Sequence, residues 1–355
     1  MSRIYDCPQY VRDLSISAES VVSPQSLDGK TILVTGAGGL IGSFLVDAIC
    51  AMRAVLGVNA RVVATGRNIG HLEELFSGNP FGAALSVSKL DVSQSITLDQ
   101  RVDVIVHAAS NAHPASITSD PVGTIVANIQ GTHAMLEWGV SHGCEKYLYV
   151  SSGEVYGQGD PRIDAYQEGY QGYVDPLSMR SSYPLAKRAA ENLCVSWQRQ
   201  VGTSCLIVRP CHTYGPTASR ADSRANEQFV RAALMGDNVV LHSPGAQVRS
   251  YNYVADAVSG LLSVLTSGEP GQAYNLANPD VRVSIAGFAR VVAAQASVEV
   301  EFDVPMRRSA DETPIERQVL SSDALRALGW HPRFSLEEGV ANTLAIRRFC
   351  QVNDS

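Results

Sequence analysis

Short apolar runs recur along the first 210 residues: TILVTG (31–36), RVVATG (61–66), LSVSKLDV (85–92), VDVIVHAAS (102–110), KYLYVSS (146–152) and SCLIVRP (204–210). Stretches of helix length lie between most of them, near 43–56, 68–76, 121–142 and 182–201. The apolar runs are continuous rather than alternating, as expected of parallel strands covered on both faces. Strands that alternate with helices through right-handed crossovers predict an α/β fold with a doubly wound parallel sheet. Beyond residue 210 the segments shorten and Pro and Gly become more frequent, which predicts a smaller C-terminal substrate-binding lobe.

Composition narrows the classes. With 355 residues, 45% of them apolar, the chain can form one large α/β unit or a domain with an added lobe. A net charge of −7 without a basic run gives no electrostatic reason to expect nucleic acid or an anionic membrane as partner. No apolar stretch approaches the roughly 20 residues that span a bilayer, and the polar, mixed-charge N-terminus does not read as a secretory signal. The seven cysteines are scattered and form no C-x-x-C. They read as reduced thiols of a cytoplasmic protein, with no disulfide and no metal site.

The first strand runs into TGAGGLIG (35–42), with Gly36, Gly39 and Gly42 at three-residue spacing. Glycines here allow a tight strand-to-helix turn and bring backbone N–H groups close to a pyrophosphate at the helix N-terminus. Following a strand and opening a helix is the context that gives this motif weight, and it makes the sheet Rossmann-type. The expected divisions are an N-terminal extension (1–29), a dinucleotide-binding domain (30–208) and a lobe (209–355), with the chain crossing back near 250–280. The second strand ends in ATGRN, with Arg67 where a carboxylate would meet a ribose 2′-hydroxyl; this leans toward NADP over NAD. Asp91 is a candidate partner for the adenine amino group. YPLAK places Tyr183 and Lys187 at i and i+4, on one face of a helix. A nearby ammonium is expected to lower the tyrosine pKa, and Ser152 can share the substrate oxygen, which together suit hydride transfer at an alcohol carbon.

Taken together, TGAGGLIG, HAAS (107–110), NIQGT (128–132), SSGEVYG (151–157), YPLAK (183–187), RPCHTYGP (209–216), RSYNYVAD (249–256) and LGWHP (328–332) resemble the extended short-chain dehydrogenase/reductases that modify nucleotide-diphosphate sugars. The resemblance implies bound NAD, the family default, or NADP, a nucleotide-diphosphate sugar as substrate (UDP favoured), and a homodimer formed through the helices near 121–142 and 182–201. It implies cofactor contacts from Gly36, Gly39, Leu40, Ile41, Gly42, Arg67, Asp91, Val92, Ala108, Ala109 and Ser110, with Tyr183 and Lys187 at the nicotinamide end. Arg249 would hold the diphosphate, and Asn128, His212, Arg224, Gln228 and Arg317 would lie around the sugar nucleotide.

Glu154 bears on the reaction. Oxidation at sugar C4 acidifies C5–H and turns a C6 carboxylate into a β-keto acid. The 4,6-dehydratases of the family carry an Asp–Glu pair at the positions of Gly153 and Glu154, one to protonate the leaving hydroxyl and one to remove the C5 proton. Gly153 can donate nothing, so a dehydratase would have to find its acid elsewhere, in Ser151 or water. UDP-glucuronate decarboxylases keep a lone Glu after a small residue, and Arg180, with the Asp222–Arg224 pair, resembles them as well. The expected catalytic set is Ser152, Glu154, Tyr183 and Lys187, with Arg180 near C6. Decarboxylation of a UDP-hexuronate ranks first, 4,6-dehydration second and epimerisation third. A non-catalytic NAD(P)-binding sensor or scaffold is the alternative outside enzymes, and the presence of both Tyr183 and Lys187 argues against it.

Overall fold

The computed structural model describes residues 3–354 apart from 111, 113, 161 and 305–314. Strands β1 (Thr31–Thr35), β2 (Arg61–Gly66), β3 (Leu85–Lys89), β4 (Val104–His107), β5 (Lys146–Val150) and β6 (Ser204–Pro210) form a sheet with the strand Ala273–Leu276. The order across this seven-stranded sheet is Ala273–Leu276, β6, β5, β4, β1, β2, β3, and every pairing is parallel. β1, β4 and β5 are almost wholly buried, which explains their uninterrupted apolar sequences. The direction of the chain reverses between β1 and β4. All carboxyl ends therefore lie along one edge, with a crevice where the strand order switches.

Helices α1 (Pro8–Glu19), α2 (Leu40–Leu56), α3 (Ile69–Leu75), α4 (Pro114–Ser119), α5 (Pro121–Ser141) and α6 (Ser182–Val201) accompany these strands. α2 starts three residues before the apolar periodicity suggests, because Gly39 serves as its N-cap. Residues 1–29 are more than the appendage their polar composition suggests. Tyr10, Leu14 and Ala18, spaced four apart on α1, are fully buried in the main core. Tyr5 and Tyr10 donate to Asp47 of α2 at 2.9 and 2.5 Å, while Asp13 accepts from Tyr253 at 2.6 Å. α1 thereby joins the helix that opens on the glycine loop to the C-terminal part of the chain.

The remainder builds a smaller sheet around Val248–Tyr253, which pairs with Arg282–Ser284, Arg317–Gln318 and His212–Tyr214. Since His212–Tyr214 directly follows β6, this sheet is set beside the crevice. Among the described residues, no helix is long and apolar enough to cross a membrane.

Candidate active site

The glycine loop is shaped by what its backbone touches. Gly36 has φ +69°, and a Cβ there would stand 2.9 Å from Ala108 and Ala109, the chain just past β4. A Cβ on Gly42 would overlap the Gly36 carbonyl. Only glycine allows this approach of loop, helix and neighbouring strand. The ends of β1 and β4 are also tied by side chains: Thr35 Oγ1 lies 2.8 Å from His107 Nδ1 and accepts from Ala109 N at 3.1 Å. Burial, reinforced by the Lys187 charge, pulls His107 down to about 3, so its ring is neutral.

Two adjoining cavities share Gly36, Gly39, Ala108 and Ser110 and form one groove across the switch point. The outer cavity, about 580 Å³, reaches Arg67, Asp91, Val92 and Ala109. The inner one, about 190 Å³, is lined by Leu40, Ile41, Gly42, Tyr183 and Lys187, and by Ser152, Glu154, His212 and Arg224. The structure thus brings together all the residues assigned from sequence to the cofactor. A glycine cradle that admits no Cβ, continued by a groove that ends at a Tyr–Lys pair, fits an extended dinucleotide. Gly36, Gly39 and Gly42 would hold its pyrophosphate.

Tyr183, Lys187 and Glu191 follow one another along a single buried face of α6. Lys187 Nζ donates to Val150 O at 2.8 Å and sits 4.7 Å from the Tyr149 ring centre and 5.7 Å from that of Tyr183. Burial lowers the Lys187 ammonium to about 7, against the opposing pull of Glu191. The expected lowering of the Tyr183 phenol is reversed. Burial and then the Glu154 carboxylate raise it above its ordinary value, while Ser152, Arg224 and Arg180 pull it back only in part. Desolvation outweighs the neighbouring cations.

Glu154 stands on a 3₁₀ turn, Gly153–Tyr156, capped by Ser152 Oγ, which accepts from Glu154 N at 3.1 Å. The turn is held from several directions. Arg188 Nε donates to Val155 O at 2.6 Å, Gln318 Nε2 to Gly153 O at 2.8 Å, and Tyr156 OH to Asn275 Oδ1 at 2.6 Å. Arg209 donates to Tyr156 OH at 2.8 Å and is itself clamped by Glu191 at 2.9 and 2.7 Å. Arg180 Nη2 donates to Glu154 Oε1 at 2.9 Å.

The residues assigned to substrate divide. His212 and Arg224 line the inner cavity. Burial, with the charges of Arg249, Arg224 and Arg180, lowers His212 to about 3, so it is a neutral hydrogen-bonding group. Asn128 is buried behind the wall, where it accepts from the lining residue Ser110 at 3.0 Å. Arg249 lies outside the cavity lining and donates to Ile315 O at 2.5 Å and Val248 O at 2.9 Å. Arg317 is paired with Asp164 at 3.0 Å, and Gln228 is exposed and bonded to Ser223 O. Gln318 lines the cavity without having been marked by any local sequence pattern, and Cys211 and Thr213, inside RPCHTYGP, line it without having been assigned a role.

The sequence profile of the NAD dependent epimerase/dehydratase family matches residues 32–277. UDP-glucuronic acid decarboxylase 3 of Arabidopsis thaliana is 34% identical over 311 residues, covering 87% of this chain and 86% of that protein. UDP-glucuronic acid decarboxylase 1 of Xenopus tropicalis is 30% identical over 324 residues, covering 89% and 72%. Among solved structures, dTDP-glucose 4,6-dehydratase of Streptomyces venezuelae, with NAD bound, superposes with a TM-score of 0.76 at 25% identity, covering 90% of this chain and 97% of that one. On fold, glycine loop and sequence alike, the chain belongs to the NAD dependent epimerase/dehydratase family.

Proposed function

We propose that this protein decarboxylates a UDP-hexuronate through a 4-keto intermediate, using a bound nicotinamide dinucleotide, NAD or NADP. The observation that carries this reading is the single carboxylate of the inner cavity. Glu154 is the only acid among its described lining residues. Position 153 supplies no second: it is a glycine, and a Cβ there would come 3.0 Å from Leu320 Cδ1, so that a larger side chain would need the leucine to give way. His212 is held neutral and cannot protonate a leaving hydroxyl. A 4,6-dehydration would have to draw its acid from Ser151 or water, whereas loss of CO2 from a β-keto acid needs none. The decarboxylase relatives, matched over most of the chain, support the same choice.

In this reading Tyr183, whose burial keeps it protonated in the free protein, ionises once the positive charge of an oxidised nicotinamide lies beside it, and then accepts the C4 hydroxyl proton while Ser152 holds the same oxygen. The dinucleotide, when bound, supplies hydride exchange at C4. Once C4 is a ketone, the C5–C6 bond breaks, CO2 leaves and the electron pair becomes the C4–C5 enolate. Ser152 and Tyr183 stabilise the developing charge on O4, and Glu154 takes up a proton from solvent and delivers it to C5. Lys187, fixed to Val150 O, keeps Tyr183 in place. The exposed apolar residues Val122, Ile125 and Val140 on α5 and Val201 on α6 support a homodimer formed through these two helices. The scattered cysteines suit a reducing, cytoplasmic setting.

Separate incubations with UDP-glucuronate, UDP-glucose, dTDP-glucose and GDP-mannose, with products identified by mass, test the assignment. CO2 loss from UDP-glucuronate is expected; water loss from a neutral hexose overturns it.

A further inference from the structure

The Arg180–Glu154 pair uses one nitrogen and one oxygen, Nη2 to Oε1 at 2.9 Å. The other terminal nitrogen, Nη1, is buried and has no hydrogen-bond partner among the described residues. A guanidinium meets a carboxylate best through two parallel bonds, so this one is half used. A buried donor without a partner is costly and calls for an explanation. Arg224, the guanidinium that lines the cavity, has no such reserve: Nε and Nη2 are taken by Asp222 and Nη1 by Thr213 O. Arg180, on the turn Met179–Ser181 just before α6, is absent from the cavity wall. Glu154, its partner, lines it.

We propose that Glu154 occupies the place on Arg180 that the C6 carboxylate of an acidic sugar takes, so that the two carboxylates compete for one guanidinium. This rests on the hexuronate reading above and adds how the acid is selected. The incoming carboxylate engages Arg180 and frees Glu154 to face C5. When the C5–C6 bond breaks and C6 departs as CO2, its electron pair passes to the enolate, and C5 gains one proton that the freed Glu154 takes from solvent and passes on. Arg180 then has a single claimant again and recovers Glu154. A neutral sugar offers nothing to exchange, and Glu154 stays paired. Arg180 is therefore a specificity-determining residue, and the negative charge of Glu154 is a built-in competitor of the substrate.

A purely structural pair predicts the opposite sign. If Arg180 merely anchors the Glu154 turn, removing the Glu154 charge leaves binding unchanged or weakens it. The experiment uses the full-length Tyr183→Phe protein, loaded with nicotinamide dinucleotide, so that turnover does not interfere. Calorimetric titrations with UDP-glucuronate and with UDP-xylose, which lacks the carboxylate, are compared. Adding Glu154→Gln is expected to tighten UDP-glucuronate roughly tenfold, about 1.4 kcal/mol, and to leave UDP-xylose within about twofold. Adding Arg180→Gln abolishes the preference for UDP-glucuronate over UDP-xylose, and Glu154→Gln then has no further effect. Unchanged UDP-xylose binding reports that each variant is folded. Unchanged or weaker UDP-glucuronate binding in Glu154→Gln overturns the exchange, as does a preference that survives Arg180→Gln. If the unmutated protein releases no CO2 from UDP-glucuronate, the proposed function falls instead.

Discussion

The Tyr10 hydroxyl donates to Asp47 Oδ2 at 2.5 Å, joining a helix that precedes the first strand to the helix that opens on the glycine loop. Both residues are buried, and Asp47 also receives Tyr5 and Asn79. A hydrogen bond to an ionisable buried group stabilises by about 2 kcal/mol. Tyr10→Phe is therefore expected to lower unfolding stability by about that amount, measured by denaturant titration, while the Tyr183–Lys187 pair stays in place. Removal of residues 1–29 takes α1 away, exposes the apolar face of α2 that it covers, and should yield insoluble protein.

The same carboxyl gives a pH dependence of known sign. Burial pushes Asp47 up to about 7, against the three donors that favour its charged form. A carboxyl whose folded value exceeds its unfolded value contributes most below the unfolded value of about 4. Its contribution is lost as pH rises toward 7, because the unfolded chain releases the proton first. Asp256, also buried and raised to about 7, acts in the same direction. Thermal melts at pH 5 and pH 8 should show a smaller difference for Asp47→Asn than for the unmutated protein. An unchanged difference would place the dependence elsewhere.

Tyr183 carries the redox step in the proposed mechanism, and the hydroxyl alone is removed by Tyr183→Phe. Positioned proton transfer contributes about 10²–10⁴-fold, so CO2 release from UDP-glucuronate should fall by at least two orders of magnitude. Dinucleotide binding should be retained, since the glycine loop makes no contact that depends on this oxygen. Retained turnover would show that another group moves the C4 proton.

Gly153 separates the two reactions physically. Gly153→Asp introduces the acid that dehydratases use, yet its Cβ meets Leu320 Cδ1 at 3.0 Å, and Gln318 holds the adjoining carbonyl. The leucine end must give way, beside the turn that also carries Glu154. The expected result is decarboxylation slowed about tenfold or more and no dehydrated product from UDP-glucose or dTDP-glucose, both read by mass. A dehydrated product would mean that the acid alone decides the outcome.

The parallel sheet, the glycine loop and the Tyr183–Lys187 pair were legible because each leaves a pattern among residues near in sequence. Strand burial shows in the runs of Val, Ile and Leu, and helical spacing alone puts Tyr183 and Lys187 on one face. What escaped was long-range. Gln318 reaches Gly153 across 165 residues, and Asp13 reaches Tyr253 across 240. No local pattern marks either. The direction of the Tyr183 shift was missed for a related reason: a neighbouring ammonium can be counted from sequence, but the full desolvation of the phenol depends on the packed fold. Arg249 and Arg317 look like free cations in sequence and are committed to carbonyl and carboxylate partners in the structure.

Arg67 offers a test of which dinucleotide the groove prefers. It follows β2 at the outer cavity, beside Asn68 and His71, and no carboxylate ends that strand. Asp91, an acid of the same cavity, comes from beyond β3 and is engaged by Ser93 at 2.7 and 3.0 Å. A ribose 2′-phosphate would therefore meet a guanidinium rather than a carboxylate. Arg67→Ala is expected to weaken NADPH about tenfold at low ionic strength and to leave NADH within about twofold, with the difference shrinking as salt is raised. Fluorescence titration of the two reduced dinucleotides measures this directly. Equal weakening of both would mean that Arg67 contacts the adenosine they share, and that the groove does not discriminate through this side chain.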